Sequence, residues 1–416
     1  MRVPSTVSLA LLVLAALPAC QPGTGVGPSA ARSPVTGFDP AFDFEPPEEI
    51  AARLPAASSL RPLHEYADRL KRGLSASEAR VCNWVRDEGF PAPRPGLVGY
   101  RTRSEFQFEG AHRPNDANEW FTQFAFYAQR ASAHLLASPD SPVRRIMADA
   151  YHDFARADAA LDLGAFVDAS TGAPVAVPDI AAAVEVATAA TVAYLLVEDD
   201  LPLSGAERTE VERWLADLFE TYADGYRRWR PDDMADLRAR WLLGQADMAW
   251  GLLTNDPSRF NRGAREAVRF LEFTRPDGAH RFGAARGYRA LYYQGVSLNS
   301  AMDTLVLLES QGLPGRELIL PTAARMAGFW SEAWDDHAVL WPYARENEGV
   351  PPGSDYRRQD RIEVAPGIDL FLALQPDHPT AARLRAIRAE HPYPTNYSAT
   401  FNATCFAAAL DGAPEG

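Results

Sequence analysis

Cysteine is scarce in this chain: of 416 residues only positions 20, 82 and 405 carry one. So few, so far apart, exclude a disulfide-dense scaffold and any CxxC-based zinc or redox site. An excess of basic charge is also missing. Lys and Arg number 41 against 55 Asp and Glu, for a formal net charge of −14, which argues against nucleic acid as a partner. The eight histidines are scattered without ligand spacing, so no metal is expected. There is no Walker loop, dinucleotide fingerprint, HExxH or GxSxG, and no cofactor is expected either. Beyond the first twenty residues no apolar run is long enough for a membrane helix.

What the chain does have begins at its first residues. Met1-Arg2 is a short positive start, and Val7 to Leu17 is an apolar run too short to span a bilayer. Leu17-Pro18-Ala19-Cys20 then places small residues ahead of a cysteine. This predicts a signal peptide over 1–19 and lipidation at Cys20, although Pro18 leaves plain cleavage after Ala19 as an alternative. A Gly, Pro and Ser-rich stretch to about Phe38 reads as a flexible tether, 20–38. Gln21 gives no acidic retention signal. The expectation is a periplasmic protein of the bacterial lipoprotein type, held at the outer membrane through its lipid alone. In that oxidising compartment Cys82 and Cys405 could pair; as buried free thiols they would fit equally well.

A hydrophobic content of 47% suffices for a large core. Its pattern has the helical period. Trp120, Phe121, Phe124 and Ala128 share one face of a helix that starts after the turn at Pro114–Asn118. Asp179 precedes an almost wholly apolar stretch, Ile180 to Val197, read as a buried helix. Ser204-x-x-Glu207 is a capping box, followed by the stripe Val211, Leu215, Leu218 and Tyr222. Asp256-Pro257 opens a helix with Val268 and Leu271 inward, and Asp277-Gly278 turns the chain. Leu298, Met302 and Leu305 continue the pattern until Gly312. Many helices with short links and no fixed repeat predict an all-α fold, an (α/α) toroid or incomplete barrel of antiparallel helical hairpins.

Asp232-Asp233 and Asp335-Asp336 resemble glycosidase carboxylates but read better as solvated helix starts in so acidic a chain. The distinctive segment runs from Pro276 to Gln294, where arginines and tyrosines crowd behind a tight turn. If it is helical throughout, Arg286 and Tyr293, seven apart, share a face. Arginine grips carboxylates bidentately, and a tyrosine beside positive charge could act as base or acid. The same residues would also suit a helix with Tyr292 or Tyr293 in the core and the arginines snorkelling outward.

Asp277-Gly278 followed by Arg286-x-x-Arg289-Ala290-Leu291-x-Tyr293 is similar to a motif of the alginate lyases, toroidal enzymes that cut polymannuronate. Pro93 to Gly110 resembles that family's opening segment, and Tyr151 to Ala159 its Trp-Ala-Asp-Ala helix. Trp241 to Asp256 has the length of the helix before the motif, and Ile368 to Pro376 resembles the closing helix. The resemblance covers residues 93–390, with a helical extension at 39–92 and a tail at 391–416. It implies a polysaccharide lyase that cleaves a uronate polymer by β-elimination. Tyr293, Arg286 and Arg238 would be catalytic, and Arg289, Trp241, Gln107 and His280 would bind substrate. The partner would be an anionic polysaccharide.

The sequence also departs from the family. Where an Asn-Asn-His is expected stand Asp236-Leu237-Arg238, and Arg238 cannot serve as a base near neutral pH. Gln107 replaces a lysine, Gly110-Ala111-His112 a Gly-Ser-Asp, and Gly283 an acidic residue. His112, His280 and His337 are candidates for a substitute base, His280 foremost. Trp334 to Tyr343 reads either as a sugar-stacking wall or as a packed loop. The exchanges also admit a second function, a uronate-binding or exopolysaccharide-assembly lipoprotein that keeps the toroid without the chemistry.

Overall fold

Helices that are apolar on one side alternate along the chain with helices that are buried all round, and this alternation sets the architecture. A computed structural model describes residues 49–74, 82, 89–95, 119–162, 177–229, 237–285, 290–343, 366–390 and 402–411. The chain divides into units 1–36 and 37–416. The first unit, with the expected signal peptide and Cys20, lies outside the described residues.

The described residues hold thirteen α-helices. They are α1 Leu63–Gly73, α2 Glu119–Ala137, α3 Val143–Arg156, α4 Val177–Leu195, α5 Gly205–Trp229, α6 Leu237–Leu253 and α7 Pro257–Glu272. Then come α8 Arg281–Ala284, α9 Ala290–Ser310, α10 Gly315–Asp335, α11 Gly367–Leu374, α12 Ala381–Glu390 and α13 Ala403–Asp411. No strand forms among the described residues; Thr274 and His280 make an isolated bridge. No described helix is long and apolar enough to cross a membrane.

Packing follows a circle. Helix α2 lies on α4, α4 on α6, α6 and α7 on α9, α9 on α11, and α11 on α13. Helix α13 meets α1, and α1 meets α2, which closes the ring. Helices α3, α5, α7 and α10 pair with α5, α4, α6 and α9 respectively as its outer layer. This is the α/α toroid that the helical pattern predicts. Helix α9 is buried along almost its whole length, polar Gln294, Ser297, Asn299 and Thr304 included.

Several local signals act as expected. Trp120, Phe121, Phe124 and Ala128 are buried on α2. Ser204 N–H donates to Glu207 Oε2 at 2.7 Å, and Glu207 N–H donates to Ser204 Oγ at 3.3 Å, the reciprocal pair of a capping box. Asp256 caps α7 by accepting from Arg259 N–H at 3.1 Å, with Pro257 at the first helical position. One expectation needs correction and a second needs extending. Helix α4 starts at Val177, so Asp179 falls inside it rather than before it. Asp335-Asp336 ends one helix as well as starting another: Asp335 closes α10 and pairs with Arg383. Asp336 caps the 3₁₀ helix His337–Leu340 by accepting from Ala338 N–H at 2.9 Å.

The N-terminal segment is a strap across the toroid. A 3₁₀ helix, Ile50–Arg53, is pinned by Ala51 N–H donating to buried Glu272 at 2.7 Å. Asn261 accepts from Ala57 N–H and donates to Ala57 C=O, both at 2.8 Å. Gln311 does the same to Arg61, at 2.8 and 3.1 Å. Lys71 on α1 then pairs with Asp200 at 2.6 Å. Cys82 and Cys405, 323 residues apart, form a disulfide that fastens the strap to α13. Of the two states open to these thiols, the structure has the paired one.

Candidate functional site

The site grows out of the Asp277-Gly278 turn. Asp277 accepts from Ala279 N–H at 3.1 Å, and Arg275 N–H donates to Ala279 C=O at 3.0 Å. Gly278 has φ +95°, and a side chain there would also run into the Arg325 carbonyl, so glycine is required. Buried Gln294 clamps the turn to α9: its Nε2 donates to Gly278 C=O at 2.8 Å, and its Oε1 accepts from His280 N–H at 3.1 Å. The short α8 lies directly on the first turn of α9. A Cβ on Gly283 would sit 2.6 Å from Gln294 N and Cα and 2.8 Å from the Tyr293 carbonyl carbon. Glycine at 283 therefore lets two backbones touch.

Tyr293 is seated by this arrangement. It is partly exposed, in the first turn of α9, with its ring edge-on to Phe282 at 5.3 Å and to Tyr292 at 4.9 Å. Trp241 meets Phe282 at 6.0 Å and Phe270 at 6.3 Å, and His280 lies 4.3 Å from Phe270. Tyr293, Trp241 and His280, far apart in the chain, thus gather around Phe270 and Phe282. Edge-on contacts of this kind add about 0.5–1.5 kcal/mol each beyond burial and fix ring orientation.

Depth in the core separates their roles. His280 is fully buried, and its Nε2 lies 2.8 Å from the Phe270 carbonyl. A carbonyl only accepts, so Nε2 carries the proton and Nδ1 faces Ser297 Oγ at 3.0 Å as an acceptor. Ser297 Oγ also lies 2.9 Å from Tyr293 C=O, so its single hydroxyl proton serves one of these two acceptors at a time. Burial pushes the His280 pKa down to about 4, partly opposed by the bond to the Phe270 carbonyl, so the ring is neutral at pH 7. His280, expected to contact substrate or serve as a base, is fully buried, with Ser297 between it and the Tyr293 carbonyl. Trp241 is likewise buried, its indole N–H donating to Gln245 Oε1 at 2.9 Å. Expected as a substrate-binding residue, it stands behind the aromatic cluster, almost fully buried.

The segment 281–293 is also not one continuous helix. Helix α8 stops at Ala284, Ala285 is in a turn, and α9 is described from Ala290. Arg286, Arg289, Gln107, His112 and Asp232-Asp233 lie outside those residues. Arg238 belongs to the first turn of α6, but its side chain lies outside them as well. His337 opens a 3₁₀ helix and is half-buried. Beside the site, Glu266 bridges Arg240 at 2.9 Å and Arg269 at 2.6 Å. These two arginines, with Glu272 and Phe273, line a cavity of about 210 Å³. Among the described residues no cluster of His, Cys, Asp or Glu could hold a metal. Sequence reasoning missed Gln294, Ser297 and Phe282; the polar Gln294 and Ser297 in an otherwise apolar helix were the signal that could have found them.

No family model matches this sequence, and no curated protein does. Solved structures do match in fold, and they are α/α toroids of the polysaccharide-lyase kind. One is alginate lyase A1-III from Sphingomonas species A1, 15% identical, covering 79% of this chain and 88% of that one with TM-score 0.56. A Tyr-to-Phe variant of A1-III complexed with tetrasaccharide is 16% identical, covering 76% and 89%, with TM-score 0.56. A His-to-Ala variant, also complexed with tetrasaccharide, is 16% identical, covering 82% and 92%, with TM-score 0.57. At such identity the likeness establishes the fold.

Proposed function

We propose that this protein is a polysaccharide lyase that cleaves a uronate-containing polymer by β-elimination, with Tyr293 as its base and acid. The observation that carries the reading is the seat of Tyr293. A partly exposed phenol stands in the first turn of a 21-residue buried helix, held edge-on by Phe282 and braced from behind by Gln294, Ser297 and His280. The N-terminal end of such a helix carries partial positive charge, which suits an anionic substrate. The likeness to lyases that have been crystallised with tetrasaccharide supports the substrate class.

The chemistry balances on one atom. Deprotonated Tyr293 takes the C5 proton of a uronate residue, the C5–H electrons form the C4–C5 double bond, and the C4–O4 bond breaks. The phenol then returns its proton to the departing O4. Acidifying C5 needs a cation at the C6 carboxylate, the role given to Arg286, Arg289 and Arg238. Gln107 completes the proposed binding set. No cofactor enters this scheme. We further propose that the chain is anchored through a lipidated Cys20 in the periplasm, at the outer membrane, which incorporation of labelled fatty acid into the wild type but not Cys20→Ser would test.

The deciding experiment follows ultraviolet absorbance of the unsaturated uronate, with polymannuronate, polyguluronate, glucuronan and hyaluronan offered in turn. A rise with one polymer that disappears in Tyr293→Phe is expected. The phenyl ring keeps the contacts to Phe282, so the variant should melt with the wild type. Leu237 and Arg238, in place of the family's Asn and His, favour a second reading, a uronate binder without turnover. Binding by a folded protein without any product would select it.

A further inference from the structure

Among the described residues only two large apolar side chains are strongly exposed, Ile146 at 46% and Trp341 at 43%. An indole left in water is the more notable, because tryptophan is highly buried on average. The position is not a loose tip. Leu340 beside it is fully buried, Asp336 caps the preceding 3₁₀ helix, and Trp341 N–H donates to Ala338 C=O at 3.1 Å. Two residues on, the Tyr343 hydroxyl donates to Asp277 at 2.7 Å, and its ring packs edge-on to Phe329 at 5.4 Å. The Arg275 guanidinium lies 5.8 Å from the Tyr343 ring centre, and its Nε donates to Asp277 at 3.3 Å. Trp341 is thus held out on a frame fixed to the same Asp277-Gly278 turn that Gln294, next to Tyr293, clamps from the other side.

We infer that Trp341, two residues before the Tyr343 ring over which Arg275 lies, is a second binding site for the polymer, a rim where the indole stacks on the apolar C–H face of a pyranose ring. The ligand class rests on the proposed lyase reading; the platform itself does not. A flat, rigid, solvent-facing indole matches the flat face of a sugar. The part-exposed guanidinium of Arg275, over the Tyr343 ring two residues on, matches a uronate carboxylate. The acidic neighbours are already engaged as acceptors, Asp277 by Arg275, Tyr343 and Ala279 N–H, and Asp336 by Ala338 N–H. With Arg275 balanced against Asp277, local charge gives little net pull. Stacking dominates, and binding at the rim should therefore resist salt.

The test uses full-length chain in the Tyr293→Phe background, so that polymer is bound without being cut. Retardation is measured in native gels cast with polymannuronate, polyguluronate or glucuronan, at low and at high salt. Trp341→Ala should weaken retention about tenfold, Trp341→Phe should keep most of it, and the fold loss should be equal at both salt levels. The exposed position makes an unfolded variant unexpected, and a melting curve verifies that. Unaltered retention of Trp341→Ala overturns the rim, as does absence of retardation of the parent by every polymer. A change in oligomeric state on gel filtration, with retention intact, overturns it in favour of a protein contact. The outcomes are separable: missing unsaturated product with Tyr293 intact sinks the lyase reading, while the rim stands or falls on retention alone.

Discussion

Replacing Gly283 by alanine probes the seat of Tyr293 more sharply than truncating any side chain there. The new methyl would sit 2.6 Å from Gln294 N and Cα and 2.8 Å from the Tyr293 carbonyl carbon. Comfortable contact between such atoms is about 3.5–4.0 Å, so α8 and the first turn of α9 must part by roughly 1 Å. Both neighbours are backbone, and no side chain can swing aside. Overpacking of this kind costs about 1–3 kcal/mol. At about 2.1 cal/mol/K of unfolding entropy per residue, a domain this size should melt roughly 1–4 °C lower. The same movement carries Tyr293 out of line, and a misplacement of about 1 Å can lower turnover about 10²-fold. Calorimetry and the unsaturated-product assay on one preparation read both effects. A variant that melts with the wild type refutes the close approach of α8 and α9. A lower melting temperature with full turnover would leave the packing argument standing and refute the claim that the seat positions the phenol.

Buried neutral His280 should make stability depend on pH. Its folded pKa of about 4 lies below the ordinary 6.5, so the unfolded chain binds the proton more readily between those values. The stability it protects is complete above pH 6.5 and falls away as pH drops to 4, by about 3 kcal/mol in all. Melting temperatures of the wild type should show that slope and His280→Gln should flatten it; equal slopes would contradict the assignment. Cys405→Ser opens a cross-link spanning 323 residues, for which chain entropy gives an upper figure of about 6 kcal/mol. Reductant should lower the melting temperature of the wild type and leave that of the variant alone. Asp247, 3% exposed, faces Arg227 at 2.7 Å, Arg262 at 2.9 Å and Arg259 at 3.7 Å. Asp247→Ala strands those cations and should cost about 3–5 kcal/mol in denaturant titration, whereas Arg262→Ala, on the exposed side, should cost far less.

Period and caps made the toroid legible. The stripe Val211, Leu215, Leu218 and Tyr222 is buried, and Ser204 with Glu207, Asp256, Gly278 and Gly312 mark boundaries where they should, because each acts through its own few neighbours. Asp179 failed as a boundary because the apolar run extends the helix upstream to Val177. Tyr293 could be picked out through its crowded, arginine-rich surroundings. What supports it could not, since Trp241, Phe270 and Phe282 meet only when α6, α7 and α8 converge. Burial of His280 was invisible for the same reason: its partners Phe270 and Ser297 stand ten residues before it and seventeen after. Whether Cys82 and Cys405 pair depends on ring closure by α13, which no local pattern encodes.

The way Asn261 and Gln311 hold the strap sets which sequence changes it can absorb. Each amide reads the N–H and C=O of one residue, at Ala57 and Arg61, and recognises nothing of the side chain. The clamps themselves accept any residue with a free N–H at those positions and forbid only proline. Spacing is the opposite. The clamps stand on different elements, Asn261 within α7 and Gln311 in the turn after α9, and grip points four residues apart, so losing one residue between them shifts one grip by about 3.3 Å. Over evolutionary time this strap should vary in letters but not in length.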